Sequence, residues 1–143
     1  AALVCRYFGS KEDLFAQLLR RPDKPLDVIK AGRDGLSVRV AEMVVSKDGD
    51  QEAVEDLLIM LRSASSKTAA SLVRDAMVER FDEPIAQLLE GESPQLRARM
   101  MGSVIIGLIV SKIIRGSWDI EAPGHDAFQQ RIEDLVRLSI QEF

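Results

Sequence analysis

The segment from Ser93 to Arg115 most constrains what this chain can fold into. A Ser-Pro pair opens it, and Met100, Met101, Val104, Ile105, Ile106, Leu108, Ile109, Val110, Ile113 and Ile114 follow. Serine as cap and proline in the first turn start a helix, and at helical spacing these apolar residues surround nearly its whole circumference. A helix on the surface of a domain needs one apolar stripe, so a helix apolar all round is buried on more than one side. A domain of 143 residues offers it one inner face, and the other calls for a partner; a helix enclosed wholly within one chain is the alternative. The segment is no membrane span, because its uncharged part, Met100 to Ser111, falls short of the roughly 20 residues required.

The other segments read the same way. Leu26 to Ala31 is a short helix interrupted at "GRDG", where two glycines cost about 1 kcal/mol each inside a helix. Leu36, Val40, Met43 and Val44 mark the next helix, closed by "KDGD". Gln51 to Ala64 carries Val54, Leu57, Leu58 and Leu61 on one face, and Thr68 to Phe81 carries Leu72, Val73, Ala76 and Met77. A further piece, Glu83 to Glu90, follows a break near Pro84, and Gly91 ends it. Asp126 to Glu142 forms a last amphipathic helix with Phe128, Ile132, Leu135 and Val136. With no strand pattern anywhere, the fold class is all-α. Two units are expected: residues 1–21, and a helical domain over 25–143.

Charge separates these units. Arg6, Lys11, Arg20 and Arg21 against Glu12 and Asp13 give residues 1–21 a net +2, while the whole chain carries −4. A basic head on an acidic body suits a polyanion that meets only the head. One cysteine, Cys5, rules out an internal disulfide and fits a reducing, cytoplasmic setting. Cys5 and the single His125 supply no zinc ligand set, and no cofactor is expected. The adjacent carboxylates Glu12-Asp13 and Glu55-Asp56 point apart on a helix, and no glycine-rich phosphate loop follows a strand. An enzyme is therefore not expected. The chain lacks an initiating methionine and opens inside an apolar helical stretch, which reads as a start within a domain.

In "VCRYFGSKEDLF", a tight turn at Gly9 joins a helix ending near Phe8 to a second helix. That helix is capped by Ser10, with Asp13 in its first turn, and stopped by Pro22. The longer stretch "ALVCRYFGSKEDLFAQLL", residues 2–19, resembles the end of the DNA-binding domain in the tetracycline-repressor (TetR/AcrR) family. There the recognition helix ends in an aromatic pair before "GSK" or "PSK", then an acidic pair and "LL" or "LF". Tyr7, Phe8, Gly9, Ser10, Lys11, Glu12, Leu14 and Phe15 match it. The helix order beyond, with a polar loop before a long apolar penultimate helix and an amphipathic last one, is similar to the family's ligand-binding domain. Cys5 departs from the pattern, standing where the family often has a phosphate-touching tyrosine.

The resemblance implies a DNA-binding role for this head, whose first two helices would lie upstream of Ala1. A recognition helix places its start near base edges and its end on the backbone. Leu3 and Cys5 then face or border the DNA, Val4 packs inward, and Arg6 and Tyr7 reach phosphates. Lys11, in the first turn of the next helix, joins its charge to free N–H groups on a phosphate.

The implied function is a ligand-responsive transcriptional regulator, a repressor that binds a palindromic double-stranded DNA operator as a homodimer and is released by a small hydrophobic effector. The alternative is a helical small-molecule carrier that never touches DNA. For the effector, Met43, Met60 and Met77 line an adaptable pocket or fill core gaps. Arg62 orients an anionic group or forms a salt bridge at its helix end, and Trp118 walls the pocket or covers the core. For the homodimer, Val104, Ile105 and Leu108 of the long helix join Ile132, Leu135 and Val136 of the last one in a four-helix bundle about a two-fold axis.

Overall fold

The computed structural model describes residues 27–46, 51–64, 69–116, 118 and 124–143. Among them the chain is helical throughout: α1 (Asp27–Lys30), α2 (Gly32–Val45), α3 (Gln51–Ser63), α4 (Ala70–Met77), a π-helical segment (Val78–Asp82), α5 (Glu83–Ala86), α6 (Pro94–Arg115) and α7 (Gly124–Ser139). The head, residues 1–21, lies outside the described residues.

Helix α2 starts earlier than its apolar pattern suggests. Only Gly32 breaks from α1, with φ +66°, and the rest of "GRDG" forms the first turn of α2. Gly35 fits because a methyl group there would come 2.9 Å from the Ala31 Cβ, a distance glycine avoids. From that start Leu36, Val40, Ala41 and Val44 recur on one face and are buried. Helix α2 packs against α7 and α6, and α5 adds Ile85 and Ala86. Together with Met101 of α6 and Ile132 and Val136 of α7, these residues make the first apolar cluster. At the far end of α2, the Lys112 Nζ of α6 donates to the Val44 carbonyl at 3.2 Å and to that of Ser46, a cation on a helix C-terminus.

The helix of Thr68 to Phe81 does not break near Pro84. It widens. A proline inside an α-helix removes a donor and presses its ring against the carbonyl four residues back, here that of Arg80. The chain accommodates this with one π-turn, in which the Glu83 N–H bonds the Val78 carbonyl five residues back. Regular bonding resumes with Gln87 N–H to Glu83 carbonyl at 3.0 Å.

Pro94 stands in the first turn of α6 as the Ser-Pro pair predicts, but Ser93 makes no side-chain cap bond. Its φ of 50° puts it in the left-handed region, whereas a capping serine needs an extended backbone. Gly91, two residues earlier, has φ +83°. The space its side chain would enter is filled by the Glu142 carboxylate, which accepts from the Glu92 N–H at 3.3 Å. Gly91→Ala is therefore expected to lower stability by about 1–2 kcal/mol, chiefly through the left-handed backbone. Urea unfolding of the two proteins checks it, and an unchanged midpoint would contradict the assignment.

One expectation is corrected by α6. The small domain was to give it a single inner face, but the chain supplies two. Ile105 and Leu108 pack on the first cluster, while Ile106, Ile109 and Val110 pack on a second, formed by Leu57, Met60, Val73 and Ala76 of α3 and α4. Coverage is still partial: from Val104 to Ile113 every apolar side chain is only half-buried, and Ile114 is 76% exposed.

Candidate effector site

The second cluster brings together two of the three methionines singled out from the sequence. Met60 is buried within it and Met77 packs on its edge, opposite the α6 side chains. Met43 does not join them; it packs on the first cluster from α2. Methionine at such a wall adapts its shape through three rotatable bonds, which suits a site admitting apolar guests. Arg62 is exposed in the last turn of α3. Trp118 is half-buried, its ring 5.0 Å from that of Phe128, which itself packs on the first cluster. Its indole N–H is buried with no hydrogen-bond partner among the described residues.

Two residues that sequence reasoning passed over lie in the π-helical segment. Phe81 is packed against both clusters, and the Arg80 guanidinium sits 5.9 Å above its ring. Asp82 follows it, half-buried, with its Oδ1 toward α6: a methyl group built on Gly102 would come 3.9 Å from that oxygen and within 4 Å of nothing else. Burial pushes the Asp82 carboxyl above the ordinary aspartate range, and the charge of Arg99 draws it partly back. The sequence signal for both residues was Pro84, whose place inside a helical pattern marks a widened turn as well as a break.

The raised pKa has a direct consequence for stability. The native state holds the Asp82 proton to higher pH than the unfolded chain does. The contribution of this group is thus fully present below the ordinary aspartate pKa and lost as pH rises through the raised one. Asp82→Asn is expected to be at least as stable as the parent at pH 7, with its relative advantage shrinking by pH 4. Urea titrations at both pH values measure this, and a destabilised Asn variant at pH 7 would show instead that the carboxylate is held by favourable bonds.

A polar groove of about 510 Å³ opens between the start of α2 and the end of α7. Its three arginines are already engaged. Arg33 pairs with Glu90 at 3.1 Å, Arg137 with Asp134 at 3.0 Å and Glu133 at 3.3 Å, and Arg97 bonds backbone carbonyls. The groove is a joint between helix ends.

The proposed dimer residues separate. Ile132 and Val136 are 1% and 0% exposed, locked in the first cluster, and have no surface to offer a second chain. Ile105 and Leu108 are half-buried against the same cluster, Val104 is half-buried, and Leu135 is exposed. The residues read as DNA-contacting, Leu3, Cys5, Arg6, Tyr7 and Lys11, lie outside the described residues. Among those described, no group of three His, Cys, Asp or Glu side chains could hold a metal ion, and no helix is long and apolar enough to cross a membrane.

Among the described residues the domain is all-helical, with one long helix shared by two apolar clusters. The sequence matches the tetracyclin repressor-like C-terminal domain over residues 34–139, and the chain belongs to that family. No curated protein sequence matches it. Membership places it among the ligand-binding regulators of the TetR family, which are generally non-enzymatic.

Proposed function

We propose that the protein is a transcriptional repressor that binds a palindromic operator as a homodimer and releases it when a small hydrophobic effector enters the second cluster. The observation that carries this reading is the family match over residues 34–139, together with an apolar cluster whose wall is Met60, Met77 and three half-buried residues of α6. Helix α6 also lines the first cluster, so a guest that moves it acts on α2 and α7 as well. A ligand shifts the balance between two states only by its difference in affinity for them, so in this reading the effector binds the arrangement of α6 that does not fit the operator more tightly than the one that does.

The DNA-binding role rests on the head. For the intact regulator on an operator selected from random duplexes, Lys11→Ala is expected to weaken binding on all sequences and to flatten the salt dependence by about one unit of log–log slope. Wild-type affinity and slope in the variant would remove Lys11 from the phosphate contacts. A thermal-shift screen of hydrophobic compounds tests the effector: stabilisers are expected to release the duplex. Stabilisers with no duplex bound at low salt would instead mark a helical carrier.

A further inference from the structure

We infer that Asp82 is the polar anchor of the effector site, and that the effector is an apolar molecule bearing a protonated amine or similar cationic hydrogen-bond donor. The inference rests on the effector reading above and adds the chemical class. Its first ground is position. Gly102, Ile106 and Ile109 succeed one another at helical spacing along α6, and the last two form the floor of the second cluster. Asp82 stands over Gly102, at one end of that floor, where α6 carries no side chain.

The second ground is how the carboxylate came to face there. A π-turn inserts one residue, and one residue is about 100° of helical rotation. Without the widening at Val78–Asp82, Asp82 would point elsewhere while Phe81 lost its place between the clusters. The third ground is an unspent acceptor. Among the described residues no hydrogen-bond donor and no ion-pair partner reaches the Asp82 carboxylate; Arg99 acts on it only through its field. A half-buried carboxylate in that condition lowers stability when ionised, a cost common where a group is kept for binding. A cationic donor gains most there, because charge-assisted hydrogen bonds are about twice as strong as neutral ones.

Three probes of one shape test this: 4-phenylbutylamine, 4-phenylbutanol and 4-phenylbutyrate, titrated calorimetrically at pH 7 into the chain and into Asp82→Asn. The amine is expected to bind at least tenfold more tightly than the alcohol, and the acid most weakly. In Asp82→Asn the amine's advantage is expected to fall below threefold with alcohol binding unchanged. Equal binding of amine and alcohol by the parent, or an amine preference that survives in Asp82→Asn, overturns the anchor and leaves the apolar site standing. Binding of none of the three overturns the site and the anchor together. Asp82→Glu, which keeps the charge on a longer stem, should retain part of the preference; its complete loss there would point to fold damage in both variants, read directly from their unfolding midpoints.

Discussion

Replacing Arg97 by methionine is expected to lower stability by about 3–5 kcal/mol, more than any surface substitution in this domain. Arg97 lies in the first turn of α6 and is 1% exposed. Its guanidinium donates to the Ile140 carbonyl at 2.7 Å and to the Glu90 carbonyl, while among the described residues no carboxylate pairs with it and its buried Nε has no partner. The charge is balanced by backbone. Ile140 directly follows α7, so the cation sits at the negative end of a 16-residue helix. Methionine keeps the apolar stem and removes every donor, leaving two inward-facing carbonyls unbonded at about 1.5–3 kcal/mol each. Lysine keeps the charge but not the fork, and an intermediate loss of about 2 kcal/mol is expected. Urea unfolding followed by circular dichroism gives both values. A methionine variant as stable as the parent would mean that desolvating the guanidinium already cancels its bonds, as happens for some buried ions.

Arg97 also shows where the sequence stops being readable. A charged residue near the start of a helix reads as solvated surface, and nothing local reveals that the ends of two other segments converge on it. Readable features are those governed by neighbours along the chain. The Ser-Pro start and unbroken apolar run mark α6 over Pro94–Arg115, and the spacing of Leu36, Val40 and Val44 gives the buried face of α2. The π-turn was hidden for a related reason. Periodicity counting assumes 3.6 residues per turn, so an inserted residue looks like a break, and Pro84 was read as one. Hence the spacing gives no sign of Asp82 and Phe81, whereas it does put Met60 and Met77 on apolar faces, and the structure packs both in the second cluster. The all-round apolar character of α6 showed that several faces are covered but not by which chain, because covering is tertiary. At Ser93 the residue type suited a cap, and the left-handed backbone decided otherwise.

A single aspartate at Leu135 is expected to split the proposed homodimer without unfolding the chain, whereas an aspartate one turn-face away at Ile132 is expected to unfold it. Leu135 and Leu138 are 42% and 61% exposed on one strip of α7. Helix α6 packs against α7 and shows a strip of its own, with Leu96, Met100 and Ile114 exposed and Ser103 and Gly107 open between them. In the proposed homodimer, small residues there would let a second α6 approach closely, and two helices from each chain would complete a four-helix bundle about a two-fold axis. Symmetry doubles the effect of a substitution in such a contact. If burying one unpaired aspartate costs about 3 kcal/mol, the dimer loses about 6 kcal/mol, a weakening of roughly ten-thousandfold. In the monomer the same aspartate faces water and costs about 0.5 kcal/mol or less. Ile132 has no such freedom: at 1% exposure among Leu36, Val40 and Val136, an aspartate there removes core contacts and buries a charge, for more than 4 kcal/mol. Light scattering at micromolar concentration should therefore give the dimer mass for the parent and half of it for Leu135→Asp, with circular dichroism unchanged, while Ile132→Asp loses its helical signal. A parent protein that runs as a monomer overturns the dimer, and with it the symmetric spacing that two DNA-reading heads require on a palindrome.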